Sequence, residues 1–255
     1  MSKPKVAIFK FSSCSGCQLV FLNCEEELLD IAEVVDIAYF VEGKRDNKPG
    51  PYDIGFVEGA ISCPEEVSRI KEIREQCQTL VAIGSCAIHG GLQALKNWKS
   101  LEWVKREVYP QPELVSTLEW AQGIDDYVPV DAYLPGCPID KGQLLEFIKS
   151  VLLGRTPNLR RHSVCMECKM KENVYVLVAG DVPCMGPVTV AGCGALCPSY
   201  GRGCYGCFGP MDDPNPEFLA RIFEKKGLSN EDIVRQFRKI TPNAEAFRRG
   251  AGIYE

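Results

Sequence analysis

The sequence predicts an α/β protein whose first part is a doubly wound, flavodoxin-like parallel sheet. Apolar, β-branched segments of strand length recur, and helical or loop sequence separates each from the next. Strands that alternate with helices form parallel sheets, because each crossover returns the chain to the same end. A chain of 255 residues with 45% hydrophobic content can also bury a full core. The five predicted strands are Val6–Phe11, Val34–Phe40, Ile54–Glu58, Thr79–Ile83 and Val130–Leu134.

Helices are predicted between and after these strands. Leucines and valines at helical spacing predict a helix over Cys17–Ile31. A proline followed by two acids starts a second helix, Pro64–Gln76. A third amphipathic segment, Lys141–Leu153, ends at Gly154.

The bulk composition limits the kinds of partner. The formal net charge is −5, and a nucleic-acid partner is not expected because phosphate binding needs a basic face. No stretch approaches the roughly eighteen apolar residues of a membrane span, and the N-terminus shows no apolar signal core. We therefore expect a cytoplasmic protein without a membrane span. In that reducing compartment, 14 cysteines indicate metal or redox chemistry rather than disulfides.

Five cysteines follow predicted strands and fall on the carboxyl edge of the sheet, where ligands of such proteins bind. Four thiolates delivered by loops to one edge are what a [4Fe–4S] cluster needs, and neighbouring glycines let backbone N–H groups approach its sulfides. The predicted ligands are Cys14, Cys17, Cys86 and Cys137. Cys63 lies on the same edge but in no C-x-x-C pair, so we interpret it as a neighbouring or simply buried thiol.

Two other uses of a C-x-x-C pair are known in proteins. Structural zinc and thioredoxin-type redox pairs both use this spacing. Thioredoxin chemistry has no role for Cys86 or Cys137, and structural zinc usually draws its ligands from paired knuckles rather than from distant strand ends. Cys24 and Cys77 lie among apolar residues in helical patterns, which predicts small core side chains.

The second half carries a denser set of thiols. These cysteines have closely spaced pairs, a Cys-Pro step and many glycine neighbours, and they resemble ferredoxin-type segments that wrap two cubanes, although zinc ribbons imitate parts of the pattern. We therefore divide the chain into residues 1–155, with one cluster, and residues 156–255, with two. The seven cysteines are Cys165, Cys168, Cys184, Cys193, Cys197, Cys204 and Cys207.

The second region is expected to have irregular structure followed by C-terminal helices. Its tail, Pro216–Ile240, predicts two short helices broken near Gly227, with Ser229 or Asn230 capping the second. Their expected role is packing.

Several motifs together resemble the small, electron-transferring subunits of [NiFe] hydrogenases. The similarity is greatest to the soluble cytoplasmic branch that includes the sulfhydrogenase delta subunit, and it covers nearly the whole chain. The motifs are Ser13-Cys-Ser-Gly-Cys-Gln18, Val57-Glu-Gly-Ala60, Gly84-Ser-Cys-Ala87, Leu134-Pro-Gly-Cys-Pro138 and Pro183-Cys-Met-Gly-Pro-Val-Thr-Val-Ala-Gly-Cys-Gly-Ala-Leu-Cys-Pro198.

The resemblance implies an oxidoreductase subunit without its own hydrogen-splitting site. The Ni–Fe centre would belong to a separate large subunit, whose ligands include a C-x-x-C pair near its C-terminus, whereas this chain ends at Gly250–Glu255 without one. Electrons would pass through three iron–sulfur clusters, the first at the four N-terminal cysteines and beside the Ni–Fe centre. The other expected partner is a flavin subunit that handles NAD(P)H, or another iron–sulfur protein.

Two alternative functions remain open. One is a free-standing iron–sulfur carrier, and the other is the related small subunit of complex I-type quinone reductases. That relative holds its cluster with two adjacent cysteines, whereas this chain has Cys14-Ser-Gly-Cys17. His89, close after Cys86, could be mistaken for a catalytic base. A hydrogen bond to a sulfide or to a neighbouring subunit is the preferred interpretation.

The chain departs from the family pattern at one position. Relatives in this branch carry eight cysteines in the second set, one of them where Tyr175 stands here. Most clusters are expected to be [4Fe–4S], and one is expected to be a [3Fe–4S] cluster or to have a non-cysteine or water ligand. His162, three residues before Cys165, is a candidate eighth ligand, with a surface histidine as the alternative. Tyr175 lies in an apolar run that predicts a core strand.

Overall fold

The computed structural model describes residues 3–255. The chain divides after Lys141 into two compact units, of which the second is Gly142–Glu255. Over the described residues, no helix is both long and apolar enough to cross a membrane. The assignment of one cluster to residues 1–155 and two to residues 156–255 remains a prediction.

The first unit contains five parallel strands: β1 (Lys5–Lys10), β2 (Asp36–Phe40), β3 (Tyr52–Glu58), β4 (Cys77–Ile83) and β5 (Ala132–Leu134). Their order in the sheet is β2-β1-β3-β4-β5, the doubly wound, flavodoxin-like order predicted from the sequence. Val6 pairs with Ile54 and Ile83 with Leu134, so the carboxyl ends of the strands lie along one edge. Strand β3 is buried at six of its seven positions. Burial on both faces explains why the strand reads as an apolar run without alternation.

The first unit has five α-helices: α1 (Gly16–Leu22), α2 (Glu25–Val34), α3 (Pro64–Gln76), α4 (Gly84–His89) and α5 (Leu101–Val108). Two 3-10 helices, Gly91–Trp98 and Pro112–Leu114, complete it. The prediction for α3 is confirmed at both ends. Ile70 of α3 packs with Ile61 and Leu80 in a core on the sheet, and all three side chains are fully buried.

The single helix predicted over Cys17–Ile31 is wrong, because the chain breaks between α1 and α2. Asn23 is the C-terminal cap of α1, and its backbone N–H donates to the carbonyl of Leu19 at 2.8 Å. Three glutamates, Glu25–Glu27, then occupy the first turn of α2. Negative side chains are favourable at a helix N-terminus and unfavourable near a helix C-terminus, so this acidic run suits a new start.

The second unit consists of short helices and loops around its own core. Its helices are α6 (Lys141–Leu152), which starts at the boundary, α7 (Val164–Met170), α8 (Val176–Ala179), α9 (Leu196–Ser199), α10 (Pro216–Lys225), α11 (Asn230–Phe237) and α12 (Glu245–Gly252), with a 3-10 turn at Gly186–Val188. The two predicted tail helices are confirmed as α10 and α11. Ser229 caps α11, since its Oγ accepts the N–H of Asp232 at 3.2 Å. Helix α12 was not predicted.

Candidate metal centres

The four predicted N-terminal ligands lie beyond the carboxyl ends of the strands. Cys14 and Cys17 follow β1, with Cys17 inside α1. Cys86 lies in α4, directly after β4, and Cys137 lies three residues after β5. Cys14 is exposed, Cys17 is buried, and Cys86 and Cys137 are half-buried. The set therefore extends from the surface of the first unit into its interior.

Electrostatic coupling shows that the four thiols are close together. Burial, together with negative charge on Cys137 and Cys14, raises the pKa of Cys86 to about 12. Burial also raises the pKa of Cys17, with contributions from Glu58, Cys86 and Cys137. The pKa of Cys137 is raised by burial and then by Cys14. Without a cation the thiols of Cys17, Cys86 and Cys137 hold their protons, whereas bound iron would stabilise the thiolates.

Glycines let three of these sulfurs lie against the backbone. A Cβ atom at Gly84 would lie 2.4 Å from Sγ of Cys17, and one at Gly91 would lie 2.5 Å from Sγ of Cys86. At Gly16 the distance to Sγ of Cys14 would be 3.2 Å. Any larger residue would fill the space around the thiols. Four coupled thiols in a cradle kept open by glycines fit a thiolate-bound iron–sulfur cluster.

Glu58, at the end of β3, is a site residue for which sequence reasoning assigned no role. Its side chain is buried, and Oε1 accepts the backbone N–H of Cys17 at 3.1 Å while Oε2 accepts Nε2 of Gln18 at 2.8 Å. Burial raises the pKa of Glu58, and these two hydrogen bonds oppose the shift. An acid that ends an otherwise buried apolar strand is the signal that could have identified it.

The remaining thiols and the histidine of the first unit have simpler surroundings. Cys24 and Cys77 are buried, as predicted for small core side chains, but Cys77 begins strand β4 instead of lying in a helix. Cys63 is the residue before α3, and its pKa is raised to about 11 by burial and by the neighbouring Glu66. Burial lowers the pKa of His89 to about 4, so its ring is neutral near pH 7 and is a weak base.

All seven cysteines of the second set lie in the second unit, within one connected group. The charge of Cys184 acts on the thiols of Cys165, Cys168 and Cys197. Cys204 is linked to the same residue, because its backbone N–H donates to Sγ of Cys184 at 3.2 Å. The coupled pairs Cys168–Cys193, Cys193–Cys197 and Cys204–Cys207 complete the group.

Glu167 is a second functional candidate that the sequence did not reveal. It lies between Cys165 and Cys168 on α7 and is buried. Its Oε2 accepts the backbone N–H of Ala195 at 3.0 Å, and Oε1 pairs with Arg160. Ala195 has a left-handed backbone, with φ of 53°. The carboxylate therefore fixes the loop that carries Cys193 and Cys197 against the first C-x-x-C pair.

Tyr175 is not in a core strand, so that prediction is wrong. The segment after it forms the short helix α8, and the tyrosine is 42% exposed. Burial of the ring, together with the charge of Cys165, raises the pKa of Tyr175 to about 12. His162 is exposed, with Nδ1 3.1 Å from the carbonyl oxygen of Ser163. Its role as an eighth ligand remains a prediction.

Among residues 3–255, no three His, Cys, Asp or Glu side chains form a group that could hold one metal ion. A structural zinc needs its ligands to converge on one point. In a cubane each thiolate binds a different iron, so the sulfurs stay apart.

Comparisons with known proteins agree with this description. Residues 14–151 match the family described as NADH ubiquinone oxidoreductase, 20 Kd subunit. The sulfhydrogenase 2 subunit delta of Pyrococcus furiosus is 35% identical over 92% of this chain and 98% of its own. A subunit of the vhu F420-non-reducing hydrogenase of Methanocaldococcus jannaschii is 32% identical over 82% of each chain. In the crystal structure of an NAD+-reducing [NiFe]-hydrogenase in the H2-reduced state, one chain superposes with a TM-score of 0.56 and 32% identity, over 62% of this chain and 95% of that one.

Proposed function

Because this chain belongs to the hydrogenase small-subunit family that includes the sulfhydrogenase delta subunit, we propose that it is the electron-transfer subunit of a [NiFe] hydrogenase. It carries electrons between a Ni–Fe site on a large subunit and a flavin or iron–sulfur partner. The observation that supports this most directly is the group of four coupled thiols at the carboxyl edge of the sheet. Grouped thiols that can hold a cluster suit the transfer of single electrons.

We assign the first cluster, of the [4Fe–4S] type, to Cys14, Cys17, Cys86 and Cys137. Bound there, it supplies one-electron redox chemistry. The chain's own residues bind and tune it: burial excludes water from Cys17, the glycines allow close approach of backbone, and Glu58 holds the N–H of Cys17. Groups that surround the ligands in this way set the potential of a cluster.

We assign two further clusters to the second unit, through Cys165, Cys168, Cys184, Cys193, Cys197, Cys204 and Cys207. Two cubanes with four thiolates each need eight ligands, one more than these cysteines supply. One of the two is therefore proposed to be a [3Fe–4S] cluster or a cluster with a ligand other than cysteine. The seven thiols form one connected group through Cys184, which supports short distances for electron transfer between the two clusters.

The large subunit is proposed to cover the rim of the first thiol group. Leu19, two residues after Cys17, is 52% exposed, and Leu92, six residues after Cys86, is 49% exposed. Exposed leucines beside a redox group are typical of a surface that a partner protein buries. Hydrogen oxidation on that partner releases two protons and two electrons, and this chain passes the electrons on singly. Fourteen free cysteines suit a reducing compartment, and we propose the cytoplasm.

The test is metal analysis of the chain isolated anaerobically together with the subunits that co-purify. The proposal expects about eleven or twelve irons per chain with matching acid-labile sulfide, a nickel-containing partner, and reduction of the clusters by hydrogen. Zinc without sulfide would overturn it. Iron and sulfide without a nickel-containing partner would favour a free-standing carrier, and reduction by quinol but not by hydrogen would favour a complex I-type subunit.

A further inference from the structure

Large apolar side chains point to solvent from the part of the second unit that contains helices α7, α8 and α9. Each of them is more than half exposed, and no function described above uses them. Grouped apolar side chains on a protein surface typically mark a place that another protein covers. We call this group the apolar patch, and it consists of Met170, Val174, Val178, Leu196 and Tyr200.

Hydrogen bonds join the two chain segments that carry the apolar patch and tie both to candidate ligands. Nδ2 of Asn173 donates to Oγ of Ser199 at 3.0 Å, so the segment before α8 and the end of α9 lie side by side. The backbone N–H of Asn173 donates to the carbonyl of Cys168 at 3.0 Å. The backbone N–H of Tyr200 donates to the carbonyl of Cys197, also at 3.0 Å. The patch therefore adjoins the thiol group of the second unit.

Positive charge accompanies the apolar patch. Lys169 and Lys171 stand on either side of Met170 in the sequence, and Arg202 follows α9 by three residues. All three cations are exposed, and none forms an ion pair with a carboxylate of residues 3–255. Between residues 164 and 205, Glu172 is the one acid that is both exposed and unpaired. The patch is thus locally basic in a chain whose net charge is −5.

We propose that the apolar patch is the docking surface for the redox subunit that exchanges electrons with this chain, and that the contact face of that subunit is acidic. This inference rests on the proposed function, because it needs iron–sulfur clusters at the thiols beside the patch. Electrons cross only short distances between redox groups, so the partner has to lie close to those thiols. The apolar side chains supply contact area, and the cations attract and orient an acidic face.

The first experiment is carbodiimide cross-linking of the anaerobically isolated complex, followed by mass spectrometry. Carbodiimide joins a lysine amine to a carboxylate that lies against it. We expect Lys169 or Lys171 to be joined to an acidic residue of a co-purifying subunit that contains flavin or an iron–sulfur cluster. Links from these lysines to the nickel subunit alone, or to a second copy of this chain alone, would overturn the inference.

The second experiment measures the Kd of the redox subunit by anaerobic size-exclusion chromatography at increasing dilution. Lys169→Glu/Lys171→Glu should raise that Kd at least about tenfold, with the iron content and the nickel subunit retained as in wild type. Tyr200→Ala should raise it as well, even at high salt, because it removes apolar contact without changing charge. The matched control is Lys225→Glu/Arg248→Glu, which reverses two exposed cations on α10 and α12, helices that carry no cysteine. It should bind like wild type.

A wild-type Kd in Lys169→Glu/Lys171→Glu with full iron content would overturn the inference, and so would equal weakening in the control. If the charge variant loses iron, Tyr200→Ala decides, and a wild-type Kd in that variant would overturn the inference. A wild-type complex with nickel and iron but no further redox subunit would do the same. If wild type contains no iron and sulfide, or no nickel partner, the proposed function fails first, and the docking proposal fails with it.

Discussion

At the scale of single residues, the four N-terminal thiols differ from the other cysteines of their unit in how they interact. They are coupled to one another, whereas Cys63, half-buried near the same edge, is affected chiefly by burial and by Glu66. Proximity among thiols, rather than burial or position after a strand, separates the candidate ligands from the rest.

The first prediction uses this difference. Replacing Cys86 by serine should remove the N-terminal cluster and lower the iron content by about four irons per chain, because a serine hydroxyl is a poor substitute for thiolate. Iron and acid-labile sulfide analysis measures the change. The matched control is Cys63→Ser, which should keep the wild-type content. Equal losses in both variants would contradict the ligand assignment.

A second prediction concerns the buried carboxylate of Glu58. The change Glu58→Gln removes a negative charge that acts on Cys17, Cys86 and Cys137 while keeping an oxygen that can accept the N–H of Cys17. Reduction of the cluster adds negative charge, so its potential should rise on the order of tens of millivolts, where about 59 mV is a tenfold change for one electron.

Redox titration of the N-terminal cluster checks this second prediction. The control is Glu42→Gln, at an exposed acid that pairs with Lys10 at the surface. It should leave the potential unchanged. A potential that falls in Glu58→Gln would show that the lost charge is not the dominant effect.

Cysteine spacing predicted the candidate ligands, but it could not predict the carboxylates that support them. Glu58 and Glu167 both accept backbone N–H groups from distant parts of the chain, at Cys17 and Ala195. The benefit of such a buried acid depends on which backbone groups lie opposite it. That is decided by how the loops pack, and sequence spacing does not encode it.

At the scale of elements, helix α12 illustrates what packing adds to helix propensity. Phe247 on this helix lies 6.2 Å from the ring of Phe237 on α11, between ring centroids. Gly250 faces the same ring, and a Cβ there would lie 2.6 Å from it. The glycine is thus required for close approach of the two helices.

The third prediction compares two glycines of α12. Gly250→Ala should lower the free energy of unfolding by about 1–3 kcal/mol, because the added methyl overpacks the core. Gly252→Ala, where a Cβ meets nothing within 4 Å, should be neutral or stabilising by up to about 1 kcal/mol. Urea unfolding followed by circular dichroism measures both. A destabilised Gly252→Ala with a stable Gly250→Ala would contradict the packing argument.

The sequence predicted the start of a helix correctly where a single start signal was strong. Pro64 and the acids after it marked the start of α3, and Ser229 marked the start of α11. The break between α1 and α2 was missed because the apolar spacing continues across it. Helix α12 was missed because its glycines lower helix propensity, and packing against Phe237 compensates.

At the scale of the whole molecule, the two units differ in how much regular secondary structure surrounds their cysteines. The first has a five-stranded sheet. In the second, the three α-helices between residues 164 and 199, α7, α8 and α9, have 7, 4 and 4 residues. Helices this short are not stable alone. Iron bound between their thiols would stabilise the fold, as metal binding does in other small metal-dependent domains.

The fourth prediction follows from that difference. Removing iron with a chelator under reducing conditions should make trypsin cleave after Lys171 and Arg202 about tenfold faster, because local unfolding becomes easier. Cleavage after Lys71, in α3 of the first unit, should change much less. Mass spectrometry of timed digests identifies the cuts, and equal acceleration at all three sites would contradict the prediction.

The sequence by itself determined the α/β class, the parallel sheet and which cysteines are candidate ligands. Hydrophobic periodicity and cysteine spacing are local properties of the chain. Only the tertiary structure decided which thiols are coupled, that Glu58 and Glu167 support their loops, and that Tyr175 precedes a short helix rather than lying in a core strand. These features depend on contacts between residues far apart in the chain. Packing and hydrogen bonding select such contacts only when the whole chain is folded.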